Sequence, residues 1–277
     1  MGLGETEMPR RRLRLGRAGP RLPHGWADAV LQAALWLLAD LLYEGVRGIV
    51  AGQSAVAFAN GRSVIWLERA TGTFWEPHVQ SWILGHAELV GAIDWVYLNA
   101  QFSVNLCFLA ILYFWRNEIF YFVRNMYFVA MGLALVVHLT YPVAPPRLFP
   151  EYGFVDTVAR YAHLDQDSGA ISLFVNPYAA VPSMHVCFAL LVGGTTICLT
   201  RRLWLRVIGG LYPVLVLFAV VTTGNHFIFD AAAGAAVALV AFLAADRVMA
   251  RVRPQAWAWS QPSAGVLQAP ATAPDPA

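Results

Sequence analysis

Pro182-Ser183-Met184-His185 and, forty-one residues beyond that histidine, His226-Phe227-Ile228-Phe229-Asp230 each stand at the start of a long apolar run. Two histidines and a carboxylate are thereby carried to one edge of a hydrophobic slab. Ionisable groups in that position are costly, so they are read first as functional.

The rest of the chain fits a membrane setting. Of its 277 residues 58% are hydrophobic and 13% charged, with a mean hydropathy of +0.54, far from a soluble composition and typical of a polytopic membrane protein. A formal net charge of +2 offers no pronounced basic surface, and no nucleic-acid partner is expected. All nineteen basic residues are arginine, and alanine, glycine and proline are abundant, which suggests a bacterium with a G+C-rich genome. Cys107, Cys187 and Cys198 lie within apolar stretches without metal-ligand spacing. They read as small core residues, with no disulfide framework, metal site or cofactor implied.

A bilayer crossing needs about 20 apolar residues, and six stretches qualify: 27–50, 93–115, 120–142, 183–200, 203–222 and 226–248. The first follows a basic segment, yet its length and the internal Asp40 and Glu44 fit a retained anchor better than a signal peptide. The expected organisation is a basic cytoplasmic segment 1–26, a six-span catalytic membrane domain 27–250 and a disordered cytoplasmic tail 251–277 rich in proline, alanine and serine. Segment 53–91 is too polar to cross but carries Trp66, Trp75 and Trp82, as helices lying in the interface do. Arginines cluster before the first span, beside the second and fourth connections and after the last span. By the positive-inside rule both termini are cytoplasmic, and the starts of spans four and six face outward.

Three polar clusters then share the outer face: Ala144-Pro145-Pro146-Arg147, Pro182-Ser183-Met184-His185, and Gly224-Asn225-His226 with Asp230. His226 and Asp230 are four apart, so on a helix they share a face, and a carboxylate on one ring nitrogen leaves a lone pair on the other. The plainer alternative is a buried pair stapling helices. His185 sits just inside span four behind a Pro-Ser helix start, where amide donors attract an anion and the imidazole can protonate a departing oxygen. Read alone, Pro-Ser is an ordinary cap. Arg147 offers a planar fork that suits phosphate, although an isolated arginine at a membrane edge commonly just snorkels. Ser183, Asn225 and Asn176 complete the candidate phosphate or headgroup contacts, while Asp156, Asp165 and Asp167 read as solvated loop charges rather than polyol ligands.

Over roughly 141–236 these motifs resemble the type 2 phosphatidic acid phosphatase superfamily, whose motifs end in Arg-Pro, Pro-Ser-x-His and His-x-x-x-Asp. The resemblance implies an all-α, six-transmembrane-helix bundle acting on a lipid phosphate or phosphodiester. It also implies that His226 attacks phosphorus to form a phosphohistidine, that Asp230 orients it and that His185 protonates the leaving alcohol. The chain departs from the pattern. Thr140 and Ala219-Val220 replace a lysine and a Ser-Arg, Leu148 replaces a proline and Met184 a glycine. With two phosphate-binding cations gone, the site suits a phosphodiester at least as well as a dianionic monoester. The run Asn176-Pro177-Tyr178-Ala179-Ala180-Val181-Pro182-Ser183-Met184-His185 is similar to the inositolphosphotransferase branch, which includes inositol phosphorylceramide synthases. An alcohol attacking the phosphohistidine makes a transferase, water a lipid phosphate or prenyl diphosphate phosphatase, and a non-catalytic membrane scaffold is the third reading.

Overall fold

Backbone N–H and C=O groups in hydrocarbon must pair within their own segment, and the long elements of this chain are accordingly helices. The computed structural model describes residues 22–50, 53–161 and 178–259. They form α1 (Gly25–Val50), α2 (Ser54–Thr71), α3 (Glu76–Leu84), α4 (Ala87–Gln101), α5 (Ser103–Trp115), α6 (Asn117–Thr140), α7 (Thr157–Tyr161), α8 (Met184–Leu199), α9 (Leu203–Thr222) and α10 (Ile228–Ala244). After α10 come a π-helical turn (Ala245–Met249) and the short α11 (Ala250–Val252) and α12 (Pro254–Trp257).

Four helical segments are long and apolar enough to cross a membrane: Gly25–Leu42 within α1, α6, α9, and Ile228–Val252 running from α10 through α11. The pair α4 and α5, bent by 42° at Phe102, makes a fifth if counted as one. The expected fourth span begins one residue late, after the Ser183 cap, and α8 is left with 16 residues, about 24 Å of helix. Among the described residues, length and composition thus support four crossings, or five with the bent pair, and α8 falls short of the same test. The expected sixth span also starts later than its histidine, because His226 and Phe227 precede the first turn of α10.

Close backbone contact sets the helix crossings. A Cβ on Gly193 of α8 would stand 2.3 Å from the Gly209 carbonyl oxygen of α9, and one on Gly234 of α10 would stand 2.3 Å from the Ser183 carbonyl oxygen. Small residues at such points let helices meet where lipid supplies no hydrophobic drive. The main core joins α5, α6, α8 and α10 around Leu112, Phe122, Tyr127 and Cys187. A second cluster of Val64, Ile65, Val143, Phe149 and Phe227 lies beneath the loops that carry the polar motifs. Cys107 and Cys198 are exposed, so only Cys187 is the core residue expected of all three. Past α12 the ring of Trp259 packs edge-on against Phe122 at 5.4 Å. Residues 1–21 and 260–277, which hold most of the expected basic segment and tail, lie outside the described residues.

α2 and α3 turn out to be more than interfacial helices. Trp66, Trp75 and Trp82 point outward, at 70%, 65% and 58% exposure, while Glu68, Glu76 and Gln80 are buried on the inner side. The indoles suit the membrane–water boundary. The buried polar groups need partners, and they find them at the functional site.

Gly193→Ala should lower the thermal unfolding midpoint in detergent by the equivalent of about 1–3 kcal/mol, since its methyl meets backbone that cannot easily yield. Gly194→Ala is the control: no heavy atom stands within 4 Å of its added Cβ, and alanine is the better helix former. That variant should be neutral or slightly stabilised.

Candidate active site

Main-chain hydrogen bonds tie three separated loops together. The Val143 N–H donates to the Tyr178 carbonyl at 2.9 Å, and Ala180 donates back to Val143 at 3.2 Å. Arg147 donates its backbone N–H to the Gly224 carbonyl at 2.7 Å, and Ser183 donates to the Asp230 carbonyl at 2.9 Å. Gly224 sits at φ +70, and a Cβ there would press on Gln80, the Val155 carbonyl and Arg147, so a larger residue would open the junction. Gln80 holds the same junction from α3. Its amide donates to the Val155 and Thr222 carbonyls, each at 2.9 Å, and accepts from the Val155 N–H at 2.9 Å.

His226 is held outside any helix. Its Nδ1 lies 2.9 Å from the Ala180 carbonyl oxygen and 3.4 Å from Asp230 Oδ2. A carbonyl can only accept, so Nδ1 carries the proton and the lone pair stands on Nε2. The spacing of four had been read as a shared helix face. The pairing arises differently, because Asp230 is the third residue of α10 and its Oδ2 accepts from the Phe227 N–H at 2.8 Å, capping the helix that follows the histidine.

Asp230 does not cap alone. Glu76 Oε1 accepts from the Ile228 N–H at 2.8 Å, and Glu68 Oε1 accepts from the Phe229 N–H at 2.7 Å. Three acids thus take up three consecutive amide donors at the start of α10, where the helix dipole favours negative charge. All three side chains are buried, at 2% exposure or less. Burial, and next a hydrogen bond to Glu76, push the Glu68 carboxyl up to about 9, so Glu68 holds its proton at neutral pH. Neither glutamate was singled out from the sequence.

His185, in the first turn of α8, stacks on Tyr97 at 4.6 Å and 19°, and its ring centroid lies 5.6 Å from that of His226. Arg147 occupies the 3₁₀ turn Pro146–Leu148. Its Nη1 donates to Asn225 Oδ1 at 2.7 Å, and its Nε stands 3.3 Å from Asp156 Oδ2, an ion pair without hydrogen-bond alignment. Asp156 is therefore not a solvated loop charge, since it neutralises the site's guanidinium and accepts from the Ala159 N–H at 2.9 Å. Asn225 is buried, donating to Thr223 Oγ1 at 3.0 Å while it steadies Arg147. Ser183 is fully buried as the cap of α8, with Oγ 3.5 Å from the Val186 N–H. Asn176, Asp165 and Asp167 lie outside the described residues.

Arg147, Asn225, His226, His185 and Tyr97 line one end of a cavity of about 690 Å³ that continues between α1, α4–α5 and α6. Asp230 and Ser183 stand behind its wall, where they hold the histidine-bearing segments without lining the space. A polar end with two imidazoles and a guanidinium, joined to an apolar remainder, has the shape of a site for an amphiphile with an anionic head.

A family model described as the PAP2 superfamily matches residues 62–244, more than half of the chain. No curated protein and no solved structure matches it.

The proton on Glu68 makes stability depend on pH. A folded-state carboxyl raised to about 9 keeps a proton that the unfolded chain releases above its ordinary value of 4.5. Its contribution is thus whole below that value and is lost as pH climbs toward about 9. Wild type should unfold at lower temperature as pH rises through that window, and Glu68→Gln should flatten the trend, because an amide keeps the acceptor for Phe229 and donates to Glu76 at every pH. Glu68→Ala should lose about 1–3 kcal/mol at any pH, its amide partner being left buried and unpaired.

Proposed function

The chain belongs to the PAP2 superfamily, the type 2 phosphatidic acid phosphatases and their phosphotransferase relatives, and from that premise we propose that it transfers a phospho-headgroup between lipid-type molecules through a phosphohistidine on His226. Membership supports phosphatase or phosphotransferase activity on lipid-type substrates. The observation that carries the finer reading is the His226 ring, with Nδ1 bound to the Ala180 carbonyl at 2.9 Å and the His185 ring 5.6 Å away at the polar end of the cavity.

In this reading Nε2 of His226 attacks phosphorus while the bond to the leaving alkoxide breaks, and His185 delivers the proton that the departing oxygen needs. The imidazole gains positive charge as the N–P bond forms. Asp230 Oδ2 at 3.4 Å and the Ala180 carbonyl stabilise it. His185, now neutral, takes the proton of the incoming alcohol as that oxygen attacks phosphorus, and the N–P bond breaks to regenerate His226. Arg147 balances the equatorial oxygens, its fork pre-aimed by Asn225. Ser183 acts through the start of α8, and Asn176 remains a candidate headgroup contact from the sequence pattern.

The charge at the site favours a diester. Arg147 is the one guanidinium among the described residues lining the cavity, and Asp156 already offsets part of its charge. Where the superfamily has a lysine and an arginine, Thr140 bonds back to the Val136 carbonyl at 2.8 Å and Val220 is fully buried. A monoanionic phosphodiester with an alcohol acceptor, as in the inositolphosphotransferase branch, meets this balance better than a dianionic monoester. The membrane arrangement proposed with it has six crossings, α8 the short one, with both termini cytoplasmic and the site on the extracytoplasmic face of a bacterial cell membrane.

His226→Ala should abolish turnover and the trapping of label from a phosphorus-labelled lipid diester, with the protein still folded. With wild type, added inositol or glycerol should divert label into a new lipid product at the expense of water. Free phosphate released from lipid monophosphates, with no diester turnover and no transfer product for any acceptor, would point to hydrolysis instead. Orientation has its own test in a variant stripped of Cys107, Cys187 and Cys198: in intact cells an impermeant maleimide should label a cysteine at Glu151 and not one at Arg202.

A further inference from the structure

Arg69, in the last turn of α2, carries a charge that nothing around it neutralises. Its guanidinium rests in a corner of two aromatic rings, 5.0 Å from the centroid of Phe74 and 4.8 Å from that of Tyr152, and those rings stand at 82° to each other. Among the described residues no carboxylate pairs with it and no carbonyl accepts from it. The nearest acids in sequence are spoken for. Glu68 and Glu76 are buried on the inner side, where they accept from the Phe229 and Ile228 amides.

Arg69 lines a second cavity, of about 480 Å³, together with Gly72, Phe74, Trp75, His78 and Val79. None of these residues belongs to the cavity that holds the two histidines. The turn between α2 and α3 that shapes it is fixed by its own hydrogen bonds. The Thr73 N–H donates to the Glu68 carbonyl at 2.8 Å, the Trp75 indole N–H donates to the Gly72 carbonyl at 2.7 Å, and the Thr71 and Thr73 hydroxyls are 2.9 Å apart. His78, in the first turn of α3, adds an exposed imidazole that has no partner among the described residues.

We infer that this pocket binds the phosphate of an anionic membrane phospholipid, at a site separate from the one that holds His185 and His226. Charge identifies the chemistry. Arg69 and His78 bring only donors, both nearby acids are turned inward, and a guanidinium can hold two phosphate oxygens at once. The two rings hold that guanidinium in place, so it gives up little rotamer freedom on binding. Position identifies the source of the phosphate. Trp75 is part of the lining, and Trp66 and Trp82 stand exposed on the two helices that flank the turn. Indoles settle at the level of lipid headgroups, so the pocket opens where bilayer phosphates lie. A zwitterionic head brings its own cation to compete with Arg69, whereas a phosphatidylglycerol head does not. A phosphate seated here braces the turn from outside, while Glu68 and Glu76 hold the start of α10 from inside.

Native mass spectrometry tests this on the full-length protein offered equal amounts of phosphatidylglycerol and phosphatidylcholine. Wild type should retain phosphatidylglycerol in preference. Arg69→Gln should weaken retention of one phosphatidylglycerol about tenfold, the order expected for one charge-assisted hydrogen bond. Arg62→Gln is the control, because it removes the same charge from the same helix at a residue outside the pocket. It should leave retention unchanged. No loss in Arg69→Gln, or an equal loss in Arg62→Gln, would mean that the lipid is drawn by diffuse charge or not at all, and overturns the proposal. Wild type in nanodiscs gives a reading that needs no substitution. Phosphatidylglycerol carrying a diazirine on its headgroup should leave adducts on Phe74, Trp75 and Val79. Adducts confined to the outward residues Leu211 and Val214 of α9, or to the histidine cavity, overturn it. Inorganic phosphate that displaces the lipid from wild type, with its own binding lost in Arg69→Gln, would mark a site for a free anion and overturn the lipid assignment.

Discussion

Where α10 begins decides where His226 stands. A helix start leaves amide donors that must be satisfied, and in a buried setting only side chains can do it. Here Asp230, Glu76 and Glu68 each take one, drawn from three different helices. His226 is the residue just before this junction, so its main chain cannot shift without breaking charge-assisted hydrogen bonds. The arrangement also explains how so many acids tolerate burial together. The dipole of α10 favours them, and one of the two glutamates carries a proton, which lowers the charge taken out of water.

Opposite charges meet again at the mouth of the cavity. Arg147 is anchored on both sides before any substrate arrives, by Asn225 at 2.7 Å and by Asp156 at 3.3 Å. A guanidinium held in this way loses little side-chain entropy on engaging an anion. Asp156 lowers the net positive potential there at the same time. Both effects come from residues in loops, held by the Gly224 turn and by Gln80.

Hydropathy made the long helices legible, and the spacing of Pro-Ser-x-His and His-x-x-x-Asp made His185, His226 and Asp230 legible. The reason given for the His226–Asp230 pairing was a helix face, whereas the actual cause is a cap, and spacing cannot separate the two because both bring residues four apart within reach. Glu68, Glu76 and Gln80 were missed since their partners lie more than seventy residues away. A trace of Glu68 was present. Ala57, Gly61, Val64 and Glu68 recur at helical spacing on the face opposite Trp66, so the stripe of small and apolar residues ends in an acid. Asp156 looked like a solvated charge because nothing in the local sequence foretells that a loop will fold back on Arg147. The short α8 was overestimated since apolarity alone does not reveal that its cap consumes the first residue.

The two ends of the cavity are built to different tolerances. His185 and His226 belong to segments locked by backbone contact, with Gly234 against Ser183 and Ser183 bonded to Asp230, so their separation is set by main chain rather than by side-chain packing. α1, by contrast, joins the bundle through α6 and through Asp28, which accepts from Tyr113 and Tyr121, and it lines the cavity with Ala29, Gln32, Ala33, Trp36, Leu37 and Asp40. Substitutions along α1 therefore change the contour of the cavity without being transmitted to the imidazoles. The geometry around the two histidines is held as a unit, while the outline of the cavity is free to drift. Sequence divergence among proteins of this architecture should be concentrated in the first helix, which can change without moving His185 or His226.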